Sequence, residues 1–117
     1  MKKINIIKES KDFDNIIKTG RYLKNKYYII YYKEKSKDYY RFGLSVGKKI
    51  SNKAVIRNKL KRRLKSIIDN NKNYYQKSKD YIIIMTRNCL EAPYEELEKS
   101  FLNIINQIDK KGDYNEK

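Results

Sequence analysis

The residues in this chain best equipped for chemistry are its cations. Residues 48–65, KKISNKAVIRNKLKRRLK, contain Lys48, Lys49, Lys53, Arg57, Lys59, Lys61, Arg62, Arg63 and Lys65, and no acid. Ammonium groups meet phosphate as point charges, whereas guanidinium groups can grip it with two parallel N–H bonds. That is binding chemistry, and the usual catalytic partners are missing. The chain has no histidine, the side chain most used as a general base near neutral pH. Zinc sites built from Cys and His clusters are excluded with it. Asp12, Asp14, Asp69 and Asp80 are scattered without paired spacing, and read as caps and surface charges. Neither a phosphate-binding glycine loop nor a dinucleotide fingerprint occurs. An enzyme that works alone is not expected.

The basic run is laid out as a helix over residues 53–70. Ile56, Leu60, Leu64, Ile67 and Ile68 repeat at helical spacing and predict one buried stripe. At about 100° per residue, the opposite face carries Asn58, Lys61, Arg62 and Lys65. Arg57 and Arg63 flank the stripe, where long stems pack and charged heads reach out. Solvated helices normally mix signs, because like charges repel. A face of one sign predicts a polyanion, and Asn58 adds a directional contact to a base or sugar. Lys48, Lys49 and Ser51 precede the helix, where outward backbone N–H groups also favour phosphate.

The whole chain supports this reading. Its 29 Lys and Arg against 14 Asp and Glu give a net charge of +15, so RNA, DNA or an anionic membrane surface are the candidate partners. The longest apolar run, residues 81–85, is too short to span a bilayer. Residues 1–4 begin as a signal peptide does, but Lys8, Glu9, Lys11 and Asp12 interrupt at once. A cytoplasmic protein without membrane contact is expected. One cysteine, Cys89, permits no internal disulfide.

The 117 residues predict a single domain over 1–117, with no repeat and no linker. The first seven residues and the tail over 109–117 look frayed. A first helix is expected over 10–19, capped by Ser10 and closed by Gly20. Strands follow at 27–33 and 40–46, joined by a charged turn at 34–38, and a short strand near 21–23 is possible. After the basic helix, residues 81–86 read as a central strand. A last helix opens near Pro93 with Leu97, Phe101, Ile104, Ile105 and Ile108 inward. The order predicts an α+β two-layer sandwich of about four strands and three helices, with a crossover connection.

The 12 tyrosines and three phenylalanines are a second signal. Tyr27, Tyr28, Tyr31, Tyr32, Tyr39 and Tyr40 crowd the two strands. Alternation puts Tyr27, Ile29 and Tyr31 on one face and Tyr28, Ile30 and Tyr32 on the other. Rings beside cations suit single-stranded RNA, whose bases stack on them while cations follow the backbone. The alternative for each ring is core filling and ordinary strand preference.

The run GLSVGKKISNKAVIRNKLKRRLK, residues 43–65, resembles the signature of the bacterial ribonuclease P protein family. There a strand ends in Ser-Val, a Lys-Lys loop follows, and a helix carries an Arg-Asn-Arg core with further cations. Here the core is Arg57, Asn58 and Lys59, followed by Lys61, Arg62 and Lys65, with lysine at 59 and 65 where arginine is common. KDFDNIIKTG is similar to the family's first helix, DYIIIMTRN to its later strand and trailing arginine, and APYEELEKSF to the opening of its last helix. The resemblance implies a sheet with an unusual left-handed crossover. It implies an RNA subunit that supplies the active site and binds Mg²⁺, and a protein without catalytic residues that needs no protein partner. The complex removes the 5′ leader of precursor tRNA. The basic helix and loop, Lys48, Lys49, Lys53, Arg57, Asn58, Lys59, Lys61, Arg62 and Lys65, would dock on the catalytic RNA. A cleft of Phe13, Ile17, Tyr31 and Phe42, with Arg87, would hold the single-stranded leader.

Three other readings compete. A ribosomal protein shares the charge but needs no open aromatic cleft. A DNA regulator would place the long helix in a major groove, yet no helix-turn-helix spacing precedes Lys53. A protein-only nuclease would cut RNA unaided.

Overall fold

The computed structural model describes residues 5–34, 39–72, 75 and 78–115, with side chains described as far as Ile108. Three helices, α1 (Ser10–Thr19), α2 (Ala54–Asn70) and α3 (Tyr94–Asn115), accompany four strands, β1 (Arg21–Lys24), β2 (Tyr28–Glu34), β3 (Arg41–Ser45) and β4 (Lys79–Met85). The strands form one sheet in the order β1-β2-β4-β3. β1 and β2 are antiparallel, as are β2 and β4, while β3 and β4 run parallel. A parallel pair needs a crossover, and α2 provides it. The expected α+β architecture is therefore present.

The sheet has two unequal faces. On one, Tyr28, Ile30 and Tyr32 of β2, Phe42 and Leu44 of β3, and Tyr81, Ile83 and Met85 of β4 are buried under α2 and α3. α2 contributes Leu60, Leu64, Ile67 and Ile68, and α3 contributes Leu97, Phe101, Ile104, Ile105 and Ile108. Each such side chain stabilises the fold by about 1.5–3 kcal/mol relative to exposure. Phe42 and Tyr81 stack with centroids 4.9 Å apart, and Tyr75 closes on Phe42 edge-on at 4.8 Å. The other face meets α1 and the segment before it, through a small cluster of Ile7, Ile16 and Ile82 with Phe13, Tyr31 and Ile84 packed around it.

Polar contacts at both ends add to the apolar docking of α1. Arg41 forks onto buried Asp80 through Nε at 3.0 Å and Nη2 at 2.8 Å, and reaches Asp12 of α1 at 3.5 Å. These carboxylates, Asp80 foremost, hold the guanidinium protonated above its usual range. At the other end of α1, Lys33 donates to Thr19 Oγ1 at 2.7 Å. Gly20 follows, but with φ −84° and ψ 173° it needs no left-handed backbone. Glycine stands there because a Cβ would lie 2.5 Å from the Ile16 carbonyl oxygen and 2.7 Å from that of Tyr32.

Several boundaries differ from expectation. Residues 5–7 are not frayed. Ile6 bridges to Phe42, Ile7 N–H donates to the Phe42 carbonyl at 2.8 Å, and Ile7 is buried. They thereby cover the outer edge of β3. Glu9 rather than Ser10 occupies the N-cap of α1, without a side-chain cap. Tyr27 lies before β2, in the main core and not beside Tyr31. Asn25 Oδ1 accepts the N–H groups of both Tyr27 and Tyr28, which turns the chain and breaks the alternation. α3 runs to Asn115, past the expected end at Ile108. Most of the charged turn at 34–38, and residues 1–4 and 116–117, lie outside the described residues.

Candidate nucleic-acid interface

The stripe of α2 fixes what its other side presents. With Leu60, Leu64, Ile67 and Ile68 inward, Asn58, Lys59, Lys61, Arg62 and Lys65 are exposed. So are Lys53 at the N-cap and Lys48 and Lys49 in the preceding turn. No acid interrupts this surface from 48 to 65, and repulsion among its cations favours a bound polyanion.

Two arginines do more than face outward. Arg57 is half-buried and donates through Nη1 to the Ser51 carbonyl at 2.8 Å. Arg87 donates through Nη2 to the Lys49 carbonyl at 2.9 Å. Lys53 N–H bonds Ser51 Oγ at 3.1 Å, and buried Ile50 pins the turn, its N–H on the Gly47 carbonyl. The loop carrying Lys48 and Lys49 is thus braced from the helix and from the end of β4. Arg87 was expected at the aromatic cleft, but it belongs to this loop. The 3₁₀ turn Arg87–Leu90, anchored by buried Cys89, carries it there. Cys89 bonds the Tyr27 carbonyl, and burial pushes its thiol up to about 11. It is structural and not a nucleophile.

The aromatic cleft is built from one row across the sheet. Tyr22, Tyr31, Ile82 and Gly43 are successive cross-strand partners on β1, β2, β4 and β3. Directly opposed residues share a face, so this row lies under α1. Phe13 fills the space above Gly43, where a Cβ would stand 2.6 Å from Phe13 Cζ. Ile17, one turn beyond Phe13, is exposed at 37%. Phe13, Ile17 and Tyr31 therefore share the α1 side of the sheet. Phe42 does not. It is fully buried on the opposite face against Tyr81 and Tyr75, because its neighbour Gly43 is the β3 residue that faces α1. No base can reach it. Tyr22 was not singled out from sequence, yet it is 57% exposed with its ring 5.3 Å from that of Tyr31. The available signal was the short strand at 21–23, which sets Tyr22 opposite Tyr31 once the chain turns back at Asn25.

The Gly43–Phe13 contact gives a direct test of the cleft. Gly43→Ala should leave the fold intact, at a cost of about 1–3 kcal/mol for overpacking. It should drive Phe13 Cζ from 2.6 Å out to at least the 3.4 Å of ordinary contact. Chemical shifts of the Phe13 ring, with urea unfolding as control, would check both.

A single-sign helix face, a braced basic loop and an aromatic sheet face suit RNA. The ribonuclease P family model matches residues 1–109. The chain belongs to the ribonuclease P protein family. A ribonuclease P protein component of Mycoplasma mycoides is 41% identical over 109 residues, spanning 92% of this chain and 99% of that protein. One from Streptococcus pneumoniae is 37% identical over 119 residues, spanning 100% and 96%. Among solved structures, the Staphylococcus aureus RNase P protein superposes with a TM-score of 0.82 at 28% identity, covering 91% of this chain and 96% of that one. The Thermotoga maritima RNase P protein gives 0.81 at 28% identity, covering 88% and 96%. A ribonuclease P protein component works in a ribonucleoprotein, so an RNA partner comes with the family. The ribosomal and DNA-binding readings lose their support. Among the described residues no helix is long and apolar enough to cross a membrane. Nor does any group of three His, Cys, Asp or Glu side chains among them converge as a metal site.

Proposed function

We propose that this chain is the non-catalytic subunit of a cytoplasmic ribonucleoprotein that removes the 5′ leader from precursor tRNA. The catalytic RNA docks on the outer face of α2, with Asn58, Lys59, Lys61, Arg62 and Lys65, and on the braced loop of Lys48, Lys49 and Lys53. Arg57 and Arg87 hold that loop in shape and add their charge. The leader lies on the α1 side of the sheet, where Phe13 and Tyr31 offer stacking surfaces and Ile17 an apolar edge. Mg²⁺ belongs to the RNA, which carries out the phosphodiester cleavage. The protein's cations neutralise phosphates near the cleavage site and so lower the Mg²⁺ concentration required. No protein partner is needed.

The observation that carries this reading is the pairing of two surfaces in one small domain. An acid-free helix face serves a structured RNA, and a separate aromatic face serves a single strand. Tyr31→Ala tests the second surface. Base–aromatic stacking contributes roughly 1–3 kcal/mol per base, so affinity for long-leader precursor tRNA should fall about fivefold or more. Affinity for leaderless tRNA should hold. Equal losses for both would remove the leader from this face.

A further inference from the structure

We propose that edge strand β1 carries a further nucleobase subsite, built from Tyr22 and Lys24, which widens the single-strand platform beyond Tyr31. The inference rests on the leader reading above and adds a position to it.

Tyr22 and Tyr31 are register partners, with ring centroids 5.3 Å apart and planes inclined at 38°. Tyr31 is half-buried against the α1 cluster, whereas Tyr22 is 57% exposed. A cross-strand pair stabilises a hairpin most when both rings are covered. Here the outer ring stays in water, and it continues the row that begins with Phe13 over Gly43. At about 4.8 Å per strand, the row from Gly43 to Tyr22 spans roughly 14 Å. That is more than one base occupies.

Charge on the same face selects the ligand. Lys24 lies two residues beyond Tyr22, so both side chains leave the same side of β1, about 6.6 Å apart along the strand. Lys24 is exposed. A ring with an ammonium one pleat away is the arrangement that holds a base by its π-face and the adjoining phosphate by charge. Duplex RNA is a poor fit, because its bases are already stacked and turned inward. The ligand is therefore an unpaired nucleotide of the same strand that lies over Tyr31.

The test measures affinity ratios in the reconstituted holoenzyme, with precursor tRNAs whose leaders are lengthened one nucleotide at a time. Tyr22→Leu keeps an apolar side chain on β1 and removes the π-face, while Tyr22→Phe restores it. The ratio of long-leader to short-leader affinity should fall roughly fivefold in Tyr22→Leu. It should recover in Tyr22→Phe. Tyr31→Ala serves as the reference, with the step in affinity lost at a shorter leader than for Tyr22→Leu. If Tyr31→Ala lowers the ratio and Tyr22→Leu does not, the β1 subsite is wrong and the leader reading stands. If neither variant changes the ratio, both are wrong. Urea unfolding of the free variants separates a stability loss from a lost contact.

Discussion

Replacing Lys61, Arg62 and Lys65 together by alanine should weaken binding to the catalytic RNA by roughly 100-fold or more, with little change in stability. All three side chains are exposed on the side of α2 away from Leu60 and Leu64. Alanine is the best helix former, so the helix loses nothing intrinsic. Hydrogen bonds to charged groups contribute about 1.5–3 kcal/mol each. Losing two or three of them accounts for the expected factor. The salt dependence gives an independent check. Each phosphate contact adds about 0.7–0.9 to the slope of log K against log salt, so the triple variant should show a slope shallower by about 2–3. Filter binding at several salt concentrations, with thermal unfolding alongside, measures both. Unchanged affinity would leave α2 as an ordinary solvated helix. Arg57→Ala should behave differently, since it also frees the Ser51 carbonyl from its 2.8 Å bond and loosens the loop.

Phe42→Ala should cost about 3–5 kcal/mol of folding stability, and the preference of the folded protein for long leaders should not move. Phe42 is fully buried and stacked on Tyr81, with Tyr75 and Tyr40 closing edge-on. Removing the ring leaves a cavity at the centre of the larger core, a large share of the 5–15 kcal/mol typical of a domain. Tyr31→Ala should do the reverse, with a small effect on stability and a large one on leader preference. The two variants separate the two faces of one sheet. They are read by urea unfolding and by affinities for precursor tRNAs of different leader length. A loss of leader preference in folded Phe42→Ala would contradict the placement of the cleft.

The contrast between Phe42 and Tyr31 shows what the sequence made legible. The stripes of α2 and α3 and the apolar run of β4 declare themselves, because each has a period or length that only one element satisfies. The cationic face follows from the α2 stripe by geometry alone. The faces of β3 do not. Residues 42–44 are all buried, so burial offers no alternation to read, and the space beside Gly43 is filled from another element by Phe13. Tyr27 misled because it still belongs to the Asn25 turn, which takes its N–H, and the strand begins only at Tyr28. Arg87 and Arg57 look like outward contacts in the sequence, yet both spend a donor on loop carbonyls, Arg57 on nearby Ser51 and Arg87 on distant Lys49. Gly20 closes α1 as expected, its N–H on the Ile16 carbonyl, but its crowding by the backbone of β2 shows only in the fold.

In the proposed complex the chemistry lies in an RNA, which this protein serves through two surfaces. The most direct measurement is cleavage of a 5′-extended precursor tRNA at low Mg²⁺ by a bacterial ribonuclease P RNA, with and without this protein. The leader should be released efficiently only when RNA and protein are together. Cleavage by the protein alone, or no gain on adding it to the RNA, would contradict that.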